Sequence, residues 1–454
     1  MENSIETVNP FNNNILSKYQ YLNTVQVSEV LNISQYSFTE WKILNVKERL
    51  NFIKTLGFVL TRQQHLLSEK CTLEMGKPIK QSIAEVQKCQ LLCEYYVENA
   101  EEFLNPKAMH SDATESFLTY EPLGVILGVM PWNFPYWQVF RFAIPAILAG
   151  NTVVVKHASN VAGCAQLLED IFVEAGFPKG IYQNLMISSS QVEAVIKDPI
   201  IKAVSLTGSE KAGSAVASAA AKDIKKAVLE LGGSNAYIVC EDADLDSAVT
   251  TAVTARMQNA GQSCIAAKRF FVHESLFDTF IARFKTKVEA MKLGDPLLED
   301  TEMGPLARVD LAKDVENQVN KSIEMGAKLI TGGKRDGAFY QPTVLTDVTI
   351  EMPVFNEEVF GPAVPVISFG GAFEEAVELS NKSSFGLGVT IFTKDIDTIK
   401  TKIHLFDEGA VFINAMVKSD PALPFGGVKR SGYGRELAEN GIKEFVNVKT
   451  VYIK

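Results

Sequence analysis

The feature that most constrains this chain is a rhythm. After Pro106, short β-branched and aliphatic runs alternate with longer amphipathic stretches. "SFLTYEPLGVILGVM" reads as strands, and "NTVVVKH" follows as another. The helix-like "VAGCAQLLEDIFVEAG" leads to "YQNLMIS", "QVEAVIKDP", "IKAVSLTGS" and "EKAGSAVASAAAKDI". A second block begins after Glu230 with "NAYIVC", "DLDSAVTTAVTARMQ", "AKRFFVHE" and "LFDTFIARFKTKVEAM". Strands spaced by helices cannot all be joined by tight hairpins, so they pair in parallel through crossover helices.

Residues 46–103 carry Leu, Ile, Lys and Glu at three-to-four spacing and read as helix, interrupted at "MGKP". The tail "EFVNVKTVYIK" reads as a late strand. A chain of 454 residues exceeds what one hydrophobic core usually serves. The predicted fold class is therefore α/β, with two doubly wound domains. The strands near 104–122 and at the C-terminus are left to pair elsewhere.

Hydrophobic residues make up 46% and charged residues 22% of the chain, a balance that argues against disorder. A formal charge of −10 speaks against a nucleic-acid surface but not against an anion held by local cations. The six cysteines lie scattered, without metal-ligand spacing, and no metal is expected. Cys89 and Cys93 read as sharing one helix face. The N-terminal stretch does not read as a signal peptide. The apolar run from Gly124 to Val155 is broken by three prolines, Asn133 and Arg141, so it is not a membrane span. A reducing cytoplasm is the expected compartment.

"SLTGSEKAG" ends a predicted strand and opens a helix, with Gly208 and Gly213 around the turn. Either it is a plain tight turn, or its free N–H groups face a phosphate. Lys156 ends "NTVVVK" at a strand's carboxyl edge, where open α/β sheets bind ligands. Together these two features favour a dinucleotide.

"QNAGQSCIAAKRF" places Cys264 in a run with no base. A reactive thiol needs an electropositive setting, which the loop's N–H groups could supply. "MPWNFPYWQ" holds Asn133 rigidly among prolines and aromatics, and "LELGGSNA" puts Glu230 at a strand end. A thiol, a fixed amide donor and a carboxylate are the parts of covalent acyl chemistry. No His base accompanies them, which counts against a papain-like hydrolase.

"PWNFP", "LTGSxxxG", "LELGG", "GQxC", "EEVFGP" and "PFGGVKRSGYGRE" occur in the order and near the separations of the NAD(P)-dependent aldehyde dehydrogenase superfamily. The chain resembles that family over nearly its whole length. "KHASNVAGCAQL" and "NFPYWQVFRF" are most similar to its shorter bacterial succinate-semialdehyde dehydrogenases. The resemblance implies Cys264 as nucleophile, Asn133 as oxyanion donor and Glu230 as the base of deacylation. It implies NAD or NADP as cofactor, contacted by Trp132, Lys156, Ser159, Gly208, Ser209 and Leu231. Glu358 would hold the nicotinamide ribose, and Phe360 would pack near the ring. Hydride loss from a thiohemiacetal would then leave a thioester for water to open.

Many NAD-preferring members carry Glu where this chain has Ser159, so acceptance of NADP is expected. Arg141 falls where semialdehyde enzymes carry a carboxylate-binding arginine; the other reading is that it pairs with a local acid or a backbone carbonyl. A second arginine of many relatives is Gln258 here, and Arg269 reads as structural. Ser419, in "KSDPALPFGG", is a further candidate for the substrate carboxylate. Ala266 replaces the second cysteine of a redox loop.

The family pattern implies a cofactor domain over 1–103 and 123–229, and a catalytic domain over 230–435. Strands at 104–122 and 436–454 would serve assembly, as a homodimer or homotetramer. The rival readings are a broad medium-chain aldehyde dehydrogenase, a CoA-acylating relative, and a catalytically silent binding protein.

Overall fold

The computed structural model describes residues 4–454. Five parallel strands run side by side in the order Lys226–Glu230, Ile201–Thr207, Val125–Met130, Thr152–His157 and Tyr182–Asn184. Gly432–Tyr433 adds a short antiparallel edge beside Glu230. Both faces are covered. Ile126, Val153 and Val155 pack into one apolar cluster, while Leu127, Val154 and Leu206 pack into another. Two-sided burial is why these strands read as unbroken apolar runs rather than alternating ones.

The second sheet has seven strands, in the order Lys328–Thr331, Thr343–Thr346, Ala363–Phe369, Ala267–His273, Asn235–Val239, Val389–Phe392 and Val411–Ile413. All are parallel except Lys328–Thr331. Ile238 and Phe271 face one core, Tyr237 and Phe270 the other. The α/β reading from the sequence describes both sheets.

The predicted helical region forms two packed helices, Val46–Met75 and Ile79–Leu104. The break at "MGKP" has a simple cause: Gly76 takes φ 79° and ends the first helix. Cys89 and Cys93 are both buried on the inner face of the second helix. Two N-terminal elements have no counterpart in the sequence reading: the hairpin Ser4–Val8 with Ile15–Gln20 and the helix Thr24–Trp41. That helix buries Ser34 and Ser37 among its apolar residues. Their hydroxyls donate to the carbonyls of Gly180 and Lys179, so its inner face is partly polar and masks the helical period.

Glu115–Pro122 pairs antiparallel with Val446–Ile453 along its whole length, and Lys107–Ala108 extends this small sheet. The tail differs from an all-strand segment beginning at 436. Ala438–Lys443 is helical, and Glu436 turns inward to the site described next.

Candidate active site

In the first sheet Val129 is in register with both Lys156 and Leu206, which aligns three carboxyl strand ends. A cavity of about 700 Å³ lies there, in the position open parallel sheets use for ligands. Of the residues singled out from the sequence, Trp132, Asn133, Lys156, Gly208, Ser209, Leu231, Cys264, Glu358 and Phe360 line it. Ser159 is exposed one residue beyond Ala158, which does line it. Glu230, Arg141 and Ser419 are buried and lie outside that lining.

Ser209 caps the helix Glu210–Lys222, its hydroxyl accepting from Ala212 N, so the helix starts at the cavity wall. Gly213 serves packing, since a Cβ there would meet the Leu231 side chain. Lys156 is buried, which lowers its pKa, and it forms no ion pair among the described residues.

The loop that carries Cys264 is strained. Asn259, Ala260 and Gly261 have φ of 55°, 51° and 74°, a region residues with a Cβ rarely occupy. A Cβ at Gly261 would run into the Gly361 carbonyl. Asn259 Nδ2 donates to Asn133 O at 2.9 Å, and Gln262 Nε2 donates to Asn259 O at 3.0 Å. Ala307 N donates to Gln262 Oε1 at 2.9 Å. Asn133 Nδ2 donates to Gln262 O at 3.1 Å. The amide of Asn133 and the loop carrying Cys264 are thus one hydrogen-bonded unit, and the second Nδ2 proton is left over.

Lys268 was not singled out from the sequence. Its buried Nζ donates to the carbonyls of Ser263 and Cys264, each at 2.8 Å, and to Glu358 Oε1 at 3.0 Å. Gly233 N donates to the same Oε1. The only linear signal was a cation four residues after the cysteine. Burial pushes the Cys264 thiol up, while Arg141 and Lys268 oppose that shift. Side-chain cations thus join the setting in which the sequence reading saw only loop N–H groups.

Glu230 ends its strand as expected, with both carboxyl oxygens buried and without a hydrogen-bond partner among the described residues. Burial, then the neighbouring Glu436, raises its pKa well above the carboxylate range; Arg141 and Arg435 oppose this. Glu230 also lies near enough to Cys264 to raise the thiol further. Glu436 ends the quoted "PFGGVKRSGYGRE", yet only the fold brings it here.

Arg141 had two readings, and the structure realises the pairing with a local acid. Its Nε stands 2.7 Å from Glu436 Oε2, and its guanidinium lies over the Phe425 ring at 4.5 Å. Ser419 Oγ accepts from Lys88 Nζ at 2.8 Å and from Trp137 Nε1 at 2.9 Å. Arg269 is structural, donating to the carbonyls of Ser234, Leu379 and Ser380. Gln258 is exposed at the end of the helix Leu245–Met257.

Residues 1–451 match the aldehyde dehydrogenase family. A probable succinate-semialdehyde dehydrogenase [NADP(+)] of Synechocystis is 47% identical over 99% of this chain and 100% of its own. A succinate semialdehyde dehydrogenase [NAD(P)+] of Escherichia coli is 43% identical over 98% of this chain and 97% of its own. The crystal structure of succinic semialdehyde dehydrogenase from Streptococcus pyogenes in complex with NADP+ superposes with a TM-score of 0.97, at 36% identity and 99% coverage of both chains. With the cavity, the loop and these likenesses in agreement, the chain belongs to the aldehyde dehydrogenase family.

Proposed function

We propose that this enzyme oxidises succinate semialdehyde to succinate with NADP+ or NAD+. The observation that supports the chemistry is the hydrogen bonding of Asn133 to the loop that carries Cys264, both residues lining one cavity, with Glu230 buried and near enough to Cys264 to act on its thiol. The names of the relatives support the substrate.

The cavity suits a dinucleotide. Its wall combines apolar surface with a helix start at Ser209, the Lys156 amine, which has no ion-pair partner among the described residues, and Glu358 fixed by Lys268 and Gly233. Gly208, Ser209 and Lys156 would hold phosphate and ribose, Glu358 the second ribose, and Trp132, Leu231 and Phe360 the ring. The exposed Ser159 puts no carboxylate beside a 2′-phosphate, which supports use of NADP. When bound, the coenzyme supplies the hydride acceptor that turns the adduct on Cys264 into a thioester.

The chain's own residues do the rest. Cys264 Sγ, once ionised, bonds to the aldehyde carbon, and the free Asn133 N–H donates to the oxygen that becomes negative. Glu230 takes a proton from water, which attacks the thioester and releases the acid. Retention of Glu230 favours water over CoA as the acceptor. The pairing of Arg141 with Glu436 favours one second reading, a dehydrogenase of uncharged medium-chain aldehydes. Initial rates on succinate semialdehyde, glutarate semialdehyde and butanal, with each coenzyme, decide between them. A preference for butanal would overturn the first reading.

The first sheet with its helices makes up the cofactor domain and the second the catalytic domain. The exposed Val448, Tyr452 and Ile453 on an edge strand support a homodimer or homotetramer. Size-exclusion chromatography with light scattering tests this. No helix among the described residues is long and apolar enough to cross a membrane. Six unpaired cysteines support a cytoplasmic setting.

A further inference from the structure

Gln81 stands in the first turn of the helix Ile79–Leu104, half-buried and outside the cavity lining. Its Oε1 accepts from Asn259 N at 2.8 Å, and its Nε2 donates to Glu302 O at 3.2 Å. One turn further along the same helix, the buried Glu85 holds the other half of the site. Its Oε1 accepts from Tyr136 N at 2.9 Å and from Trp137 N at 3.0 Å, just after Asn133. Its Oε2 pairs with Lys77, whose amine lies over the Phe134 ring at 3.9 Å. Residues four apart share a helix face. One face of one helix therefore grips both the segment of Asn133 and the loop of Cys264.

The bond to Asn259 falls where that loop most needs support. Asn259 begins the run of positive φ and is 1% exposed. Such conformations persist only where the surrounding contacts over-determine them. The Asn259 side chain in turn reaches Asn133 O and Gln262 O, and Gln262 O receives the Asn133 amide. A hydrogen-bonded path thus runs from Gln81 through Asn259 to the amide of Asn133. Without its acceptor, the buried Asn259 N–H drives the turn to relax. Relaxation there shifts the Gln262 carbonyl, which fixes the Asn133 side chain.

We propose that Gln81 is a positioning residue for the oxidation: through Asn259 it holds the loop of Cys264 in register with the Asn133 amide. The assignment rests on the reading of Asn133 as the oxyanion donor and deepens it. Glu85 serves the same alignment, but its buried pair with Lys77 also carries the fold. Gln81 is the member of this face whose removal isolates the alignment.

The test follows the first-turnover formation of NADPH by stopped flow, with saturating succinate semialdehyde and, separately, butanal. Q81M removes both hydrogen bonds at similar side-chain length, and Q81A is a second removal that adds no bulk. Q81E keeps an acceptor for Asn259 N and gives up the donor to Glu302 O. Q81M should slow the first turnover by about 10- to 100-fold on both aldehydes, with the KM for NADP+ unchanged. Q81E should recover most of the rate.

The same substitution in the Asn133→Ala background separates alignment from general packing. There the amide that Gln81 aligns is gone, so Q81M should cost less than about 3-fold. Losses of equal size in the two backgrounds overturn the role of Gln81, as does no loss at all. A Q81E rate as low as that of Q81M also overturns it, because the effect then belongs to the Glu302 contact. Asn133→Ala without any loss is a different failure: it overturns the oxyanion reading, and the role of Gln81 with it.

Discussion

Arg141 Nε stands 2.7 Å from Glu436 Oε2, and both side chains are almost wholly withdrawn from solvent. Glu436 in turn raises the Glu230 pKa. Removing one partner of a buried pair strands the other charge, at about 3–5 kcal/mol. Glu436→Gln keeps the shape but removes the negative charge, so it incurs part of that cost at Arg141 while freeing Glu230 from the repulsion. Glu230 then ionises at lower pH, and the acid limb of the kcat profile moves to lower pH. Stopped-flow measurement of deacylation across pH checks this; a limb that stays in place shows that Glu436 does not act on Glu230.

Asn133→Ala should lower kcat by about 100–1000-fold, the usual loss when one oxyanion donor is removed. Because Asn133 also tethers the loop carrying Cys264 by donating to Gln262 O, Asn133→Asp is the companion variant. It keeps the shape but removes both the free N–H and the donor to Gln262 O, and should be at least as slow. Steady-state kinetics with a circular-dichroism control separates lost catalysis from lost fold.

Glu230→Gln should lower steady-state turnover by about 100- to 10,000-fold, the range for a general base. The first, acylating turnover should survive as a burst of about one equivalent of reduced coenzyme, because the base acts after hydride loss. In the wild type, the raised pKa of Glu230 means that its working, ionised form grows as pH rises. Turnover should therefore still be climbing at pH values where ordinary carboxylates have finished titrating. A plateau from pH 5 upward would contradict it.

Lys268→Met should make Cys264 harder to ionise, since the Lys268 charge offsets part of the shift caused by burial. Alkylation by iodoacetamide at neutral pH should slow, and its midpoint should move to higher pH. The same change frees Glu358 from its cation, so the KM for coenzyme should change as well. An alkylation profile identical to wild type would remove Lys268 from the site's electrostatics.

Ser159→Glu should reverse the tolerance for NADP. A carboxylate near a 2′-phosphate costs several kcal/mol in like-charge contact, so the NADP/NAD ratio of kcat/KM should fall by roughly 100-fold. Ser159 is exposed, which makes the substitution benign to the fold. A ratio that does not move places the 2′-hydroxyl away from this residue.

The linear chain by itself determined the architecture and pointed to the three groups proposed to act. Parallel strands buried on two faces need long apolar runs, and covering helices need amphipathic ones, so the pattern of Val154 between Val153 and Val155 is readable without coordinates. Cys264, Asn133 and Glu230 were legible because each sits in a short motif whose glycines and prolines dictate local backbone. Charge pairing was not. That Arg141 stands beside Glu436, 295 residues away along the chain, follows from strand and loop contacts that no local pattern encodes. The same holds for Lys268 over Glu358 and for Lys88 against Ser419. Coulomb energy and desolvation depend on distance in space and on exclusion of water, and tertiary structure alone decides both.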